Sequence, residues 1–138
     1  MSYDLMVFDP AAAPKKREEF LAWYDELTEW GDEHGYDDPI VTTIALRAWF
    51  MDMIGIFPAM NGPYSASFSA NSESRLADYS IEKSAIYIGF SWSVAEEAHE
   101  TVAMLAAKHG VGFFDVSSDK GAVYVPDESG NLSLLHEQ

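Results

Sequence analysis

Four histidines (His34, His99, His109 and His136) and 23 acidic residues are the groups in this chain that could hold a metal or move protons, and no cysteine joins them. Zinc and di-iron sites need ligands spaced so that side chains converge on one ion. No two histidines have helical or finger spacing. Glu96-x-x-His99 has the form of the pair used in carboxylate-bridged di-iron bundles, but such a bundle needs a second copy and further inward glutamates. The run from Asp115 to Gly121 imitates the start of a calcium loop. Its glycine comes one place late, and Pro126 stands where the twelfth-position glutamate belongs. No metal or cofactor is expected.

Covalent catalysis has no better footing. There is no thiol. Serines 65, 67, 69, 72 and 74 lie in a Pro, Gly and Asn-rich stretch without a nucleophile elbow, and no glycine-rich phosphate loop is present. The obvious carboxylates fall on what reads as a solvent face, whereas acid–base hydrolysis needs a carboxyl buried in a cleft. The sequence predicts a protein that is not an enzyme and has no catalytic residues.

The elements that would carry these groups can be read from periodicity. Tyr3 to Phe8 reads as a strand ending before Asp9-Pro10. A helix is expected from Pro14 to Trp30, with Phe20, Trp23, Tyr24, Leu27 and Trp30 on one side and Glu18, Glu19, Asp25, Glu26 and Glu29 on the other. Thr42 or Thr43 caps a second helix with Leu46, Trp49, Phe50, Met53, Ile54 and Phe57 inward, stopped by Pro58. Residues 59–75 read as a long loop. Strands follow at 76–82 and from Ala85 to Trp92, the second alternating clearly. Ser93 to Glu96 has the pattern of a capping box opening a third helix that Gly110 closes, with Val94, Ala95, Ala98, Val102 and Leu105 inward and His109 at its C-terminal end. VGFFDV and AVYV form a hairpin, and residues 127–138 read as a polar tail.

The order β-α-α-β-β-α-β-β predicts an α+β fold, a ferredoxin-like sandwich with helices packed on one face of a mainly antiparallel sheet. A chain of 138 residues with 48% hydrophobic content suits one domain, spanning residues 1–126, without covalent staples. The N-terminus lacks the pattern of a secretory signal and no apolar run approaches bilayer length, so a cytoplasmic location is expected.

Charge is the most informative property. The net charge is −15, with 8 basic residues against 23 acidic ones, which disfavours nucleic acid and anionic membranes as partners and favours a basic protein. From Glu18 to Leu46 there is no lysine or arginine. A solvated helix normally mixes the two signs, because like charges four residues apart destabilise by a few tenths of a kcal/mol. Aromatic residues interleave the acids, as anchors do on a protein-binding surface. A docking face is therefore expected at Glu26, Glu29, Trp30, Asp32, Glu33, Tyr36, Asp37 and Asp38.

The segments YDLMVFDP, EEFLAWYDELTEW, DDPIVTTIALRAWF, IYIGFSWSVAEEAHETVAMLAAKHGVGFFDV and AVYVP together resemble a family of small acidic bacterial proteins, similar to immunity proteins encoded beside polymorphic toxins that secretion systems deliver. The resemblance runs from Tyr3 to Pro126. It implies an antidote that binds a cognate basic toxin enzyme, one acting on nucleic acid or nucleotides, and blocks its active site. Two alternatives remain: a small-molecule binder or enzyme with a pocket under the 59–75 loop and Tyr64 and Phe68 as its lid, and an adaptor domain that self-associates through exposed aromatics.

Overall fold

A computed structural model describes residues 2–29, 38–60, 62–64 and 74–138. It contains strands β1 (Tyr3–Phe8), β2 (Asp78–Ile81), β3 (Ala85–Phe90), β4 (Gly112–Phe114), β5 (Val123–Pro126) and β6 (Leu132–His136), and helices α1 (Arg17–Leu27), α2 (Ile44–Met53) and α3 (Ala95–His109). The strands form one sheet in the order β2-β3-β1-β4-β5-β6, with every neighbouring pair antiparallel. The chain is thus an α+β fold. Within it, β1, α2, β2, β3, α3 and β4 make the β-α-β-β-α-β series of a ferredoxin-like core, with β1 between β3 and β4. No helix among the described residues is long and apolar enough to cross a membrane.

The helices do not share one face, and this corrects the expected sandwich. Tyr3, Leu5 and Val7 of β1 pack with Leu46, Trp49, Phe50 and Met53 of α2 and Ala98, Val102 and Leu105 of α3. The alternate residues Met6 and Phe8 pack with Phe20, Trp23, Tyr24 and Leu27 of α1. Because side chains alternate along a strand, α1 covers the face opposite to α2 and α3. The uninterrupted apolar run Leu5-Met6-Val7-Phe8 fits a β1 covered on both faces, since a strand buried on both sides loses its alternation, but it does not say which helix lies on which side.

Close approach fixes the α1 layer. A Cβ at Gly112 would lie 2.2 Å from Phe8 Cζ, so only glycine lets β4 pass beneath the Phe8 ring. On its other side that ring meets Phe20 edge-on at 5.3 Å and Trp23 at 6.1 Å between centroids.

Several boundaries differ from the sequence reading for local reasons. α1 runs from Arg17 to Leu27 instead of from Pro14 to Trp30, with Thr28 as its C-cap, whose hydroxyl and amide both donate to the Tyr24 carbonyl, each at 3.0 Å. Thr43 caps α2, its hydroxyl accepting the Leu46 amide at 3.2 Å. That helix ends at Met53, ahead of Gly55 and Pro58. The capping box does not form: the Ser93 hydroxyl pairs with that of Ser91 at 2.9 Å, a 3-10 turn spans Trp92–Val94, and α3 begins at Ala95 without a side-chain cap. Gly110 closes α3 in the left-handed conformation, φ +69°.

The last dozen residues are not a tail. Asp127 Oδ1 accepts the amides of Ser129 and Asn131 at 2.9 and 3.0 Å, closing a turn that returns the chain as β6 along β5. Arg17 then clasps the ribbon to α1. Its Nη1 donates to Gly121 O at 3.1 Å and lies 3.0 Å from His136 Nδ1, and its Nη2 donates to Lys120 O at 3.2 Å.

Candidate protein-docking surface

The amphipathic pattern of α1 determines where its charges go. Phe20 is fully buried, while Trp23, Tyr24 and Leu27 are half-buried against the sheet. Glu18, Glu19, Asp25, Glu26 and Glu29 are consequently all exposed. Among the described residues no ion pair involves any of them.

Their positions along the helix separate two kinds of acid. Glu18 and Glu19 occupy the first turn, where the helix dipole favours negative charge. Helix stability accounts for them. Asp25 and Glu26 sit at the other end, in a last turn without any basic residue, where the same dipole opposes them. Glu29 extends that cluster just past the cap. Stability does not explain acids at this end.

Five of the chain's eight cations are engaged elsewhere, and Lys83 lies in the turn between β2 and β3. Arg17 holds the β5–β6 ribbon, and Arg47 donates to the carbonyls of Pro39, Ile40 and Thr42, each at 3.2 Å. Arg75 makes a bidentate pair with Glu97 at 2.9 and 2.7 Å, donates to Ile56 O at 3.2 Å and lies 4.5 Å over the Phe57 ring. Lys108 pairs with Asp52 at 3.0 Å and Lys120 with Glu137 at 3.9 Å. Lys15 and Lys16 precede α1 and moderate the charge only at its beginning.

Of the eight residues expected in the docking face, Glu26 and Glu29 stand exposed on α1. Asp38 has a structural task of its own. It caps the 3-10 turn Pro39–Val41, its Oδ1 accepting the Ile40 amide at 3.0 Å, and that turn leads into α2 on the opposite face of the sheet. Trp30, Asp32, Glu33, Tyr36 and Asp37 lie outside the described residues, as does Phe68 of the expected lid. Asp38 instead lines an open groove of about 330 Å³ with Pro39, Ile40, Arg47, Pro63 and Tyr64. Beside it Ile40 and Ile44 are 70% and 82% exposed. Sequence reasoning missed this apolar patch. Its signal was Ile44's place on the helical wheel, away from Leu46, Trp49, Phe50 and Met53.

Beneath the acidic end of α1, Tyr87 donates to Asp4 Oδ2 at 2.6 Å and the Tyr24 ring stacks on Tyr87 at 6.4 Å. Burial pushes both phenols above their ordinary value. For Tyr24 the nearby carboxylates of Asp4 and Asp25 add to that rise, and the Asp4 hydrogen bond adds to it for Tyr87. Asp25 of α1 and Asp4 of β1 thus act on one phenol.

The described histidines disperse. His99 Nε2 lies 3.3 Å from Asp115 Oδ2, His109 Nε2 lies 2.7 Å from Asp52 Oδ2, and His136 is on β6 beside Arg17. His109 therefore binds a carboxylate of α2 and not its own helix's carbonyls. Among the described residues no group of three His, Asp or Glu side chains could hold a metal ion. His34 lies outside them. Comparison of the chain with protein-family models, with curated proteins and with solved structures finds no match.

Proposed function

We propose that this protein is a non-enzymatic immunity protein that neutralises a cognate basic toxin enzyme in the cytoplasm, laying its acidic face over the toxin's active site. One observation carries the reading: Asp25, Glu26 and Glu29 are gathered, exposed and unpaired, at the end of α1 where they cost helix stability. An enzyme that acts on nucleic acid or nucleotides presents a basic cleft, and a rigid row of carboxylates imitates the phosphates that cleft is built to hold. A net charge of −15 also speeds encounter with such a partner, by about 10- to 10³-fold at low ionic strength. The resemblance to immunity proteins supplies the biological setting.

The test is coexpression with the toxin-domain protein encoded beside this gene. The wild-type chain should restore growth and bind tightly, and the D25K/E26K/E29K variant should bind at least tenfold more weakly with its fold intact. If binding is unchanged in that variant, α1 is not the docking face. If no neighbouring toxin is bound or neutralised, the immunity reading is wrong. The groove between Asp38 and Tyr64 favours a second reading, a small-molecule binder, which gains support if a ligand carried through purification occupies it.

A further inference from the structure

α2 is apolar on two sides. Leu46, Trp49, Phe50 and Met53 are buried in the core with α3 and the sheet. At 100° per residue, Ile44, Ala48 and Met51 lie within about 30° of the opposite direction, and no polar side chain stands among them. Ile44 is 82% exposed and Met51 43%, and exposed Ile40 of the preceding 3-10 turn lengthens the stripe.

The charges beside this stripe are neutralised within the chain. Arg47 is held by three backbone carbonyls, Asp52 by Lys108 and His109 at 3.0 and 2.7 Å, and Asp38 by the Ile40 amide. The α1 acids lie beyond the sheet, with at least the ~10 Å width of α2 in between, more than the ~8 Å over which charges act at physiological salt. On a chain of net charge −15, the stripe is therefore a neutral surface. That charge pattern selects its occupant. A basic partner is drawn to carboxylates and finds none free here, and an anionic membrane repels the chain as a whole. A second copy brings the same neutral, apolar stripe.

We propose that two copies of this chain pair through α2 about a twofold axis close to Ala48. Such an interface uses one patch on both copies, so the patch must complement itself. Ala48 stands four residues after Ile44 and three before Met51. An axis there sets the large side chains of one copy on those of the other, while the small residue lets the helices approach to about 8–10 Å between axes. The pairing leaves α1 uncovered on the other face of the sheet and does not depend on the toxin reading. Glu96 and Glu100 of α3 are exposed on the α2 side of the sheet, so like charge opposes the pairing and salt should strengthen it.

The test is sedimentation velocity of the full chain across the micromolar range. A reversible monomer–dimer equilibrium is expected, tightening as salt rises from about 0.05 to 0.5 M, the opposite of docking to a basic protein. Ile44→Glu should weaken the pairing at least tenfold. It places an acid in the first turn of α2, where the helix dipole favours it, so the loss is not one of folding. Because the chain has no cysteine, Ala48→Cys supplies a single thiol. Its oxidation should join two copies, since backbones near the axis come within the roughly 4.4–6.8 Å that a disulfide spans. Glu19→Cys on α1 should not cross-link. A chain that stays monomeric, a dimer indifferent to Ile44→Glu, or equal cross-linking at positions 19 and 48 overturns the pairing. A monomer in which Ile44→Glu weakens toxin binding overturns it too, and gives the stripe to the toxin. If the dimer forms as described and no toxin is bound, only the immunity reading falls.

Discussion

His99, half-buried on α3, reaches Asp115 just past the end of β4, with Nε2 3.3 Å from Oδ2, and so ties a helix to the sheet through a titratable contact. The hydrogen bond to Asp115 raises the imidazole above its ordinary value of 6.5, the charges of Asp115 and Glu100 assist, and partial burial opposes. A histidine whose folded value is raised stabilises the fold fully below the unfolded value and loses that contribution as pH rises through the folded value. His99→Gln should therefore lower Tm at pH 5.5 and change it much less at pH 8.5. A Tm difference independent of pH would remove the ionic role.

His136 has the opposite sign. Burial, then the neighbouring Arg17 charge, lowers its value, so its contribution is present above 6.5 and is lost as pH falls through the lower folded value. His136→Asn should be most destabilising near pH 8. Thermal melts of the two histidine variants across pH 5 to 9 should therefore diverge in opposite directions.

The acids at the end of α1 predict that stability and function conflict. D25N/E26Q relieves charge that the helix dipole opposes, and should raise stability by about 0.3–1 kcal/mol. The same change should slow association with a basic partner and flatten its salt dependence. Denaturant unfolding and stopped-flow association measure the two effects separately. A variant that is both less stable and equally fast in binding would contradict the reading of α1.

Gly112→Ala places a methyl 2.2 Å from Phe8 Cζ. Overpacking of this kind costs about 1–3 kcal/mol, and here the displaced ring would press on Phe20 and Trp23. Chemical denaturation should report the loss. Tryptophan fluorescence should shift as Trp23 moves. Phe8→Leu in the same chain should recover part of the stability by vacating the contact.

Arg17→Met removes the clasp on the β5–β6 ribbon while keeping an apolar stem. Without the guanidinium, the carbonyls of Lys120 and Gly121 lose donors at 3.2 and 3.1 Å, a loss of about 1–3 kcal/mol. Hydrogen exchange should accelerate first in β6, at Leu134 to His136. Uniform acceleration across the sheet would show that the ribbon is not a separate unit.

The amino-acid sequence alone determined β1, the two faces of α1, a threonine cap on α2 at Thr42 or Thr43, the Gly110 stop and the inward stripe of α3, because each follows from spacing, or from a single residue's backbone or hydrogen-bonding preference. It also determined that the α1 carboxylates would be exposed, since their apolar partners leave them no other direction. Which face of the sheet α1 covers was decided only by tertiary packing: Phe8 needed Gly112 beneath it and Phe20 above, a contact between residues about a hundred positions apart. β6 depended on a clasp from Arg17 at similar separation, and five residues at a half-exposed edge carry too little pattern to predict alone. The register that sets Asp4 of β1 opposite Gly89 of β3, and Gly89 opposite Asp78 of β2, belongs to no local motif. It exists because antiparallel pairing sets three distant residues side by side, and pairing register is a property of the assembled sheet.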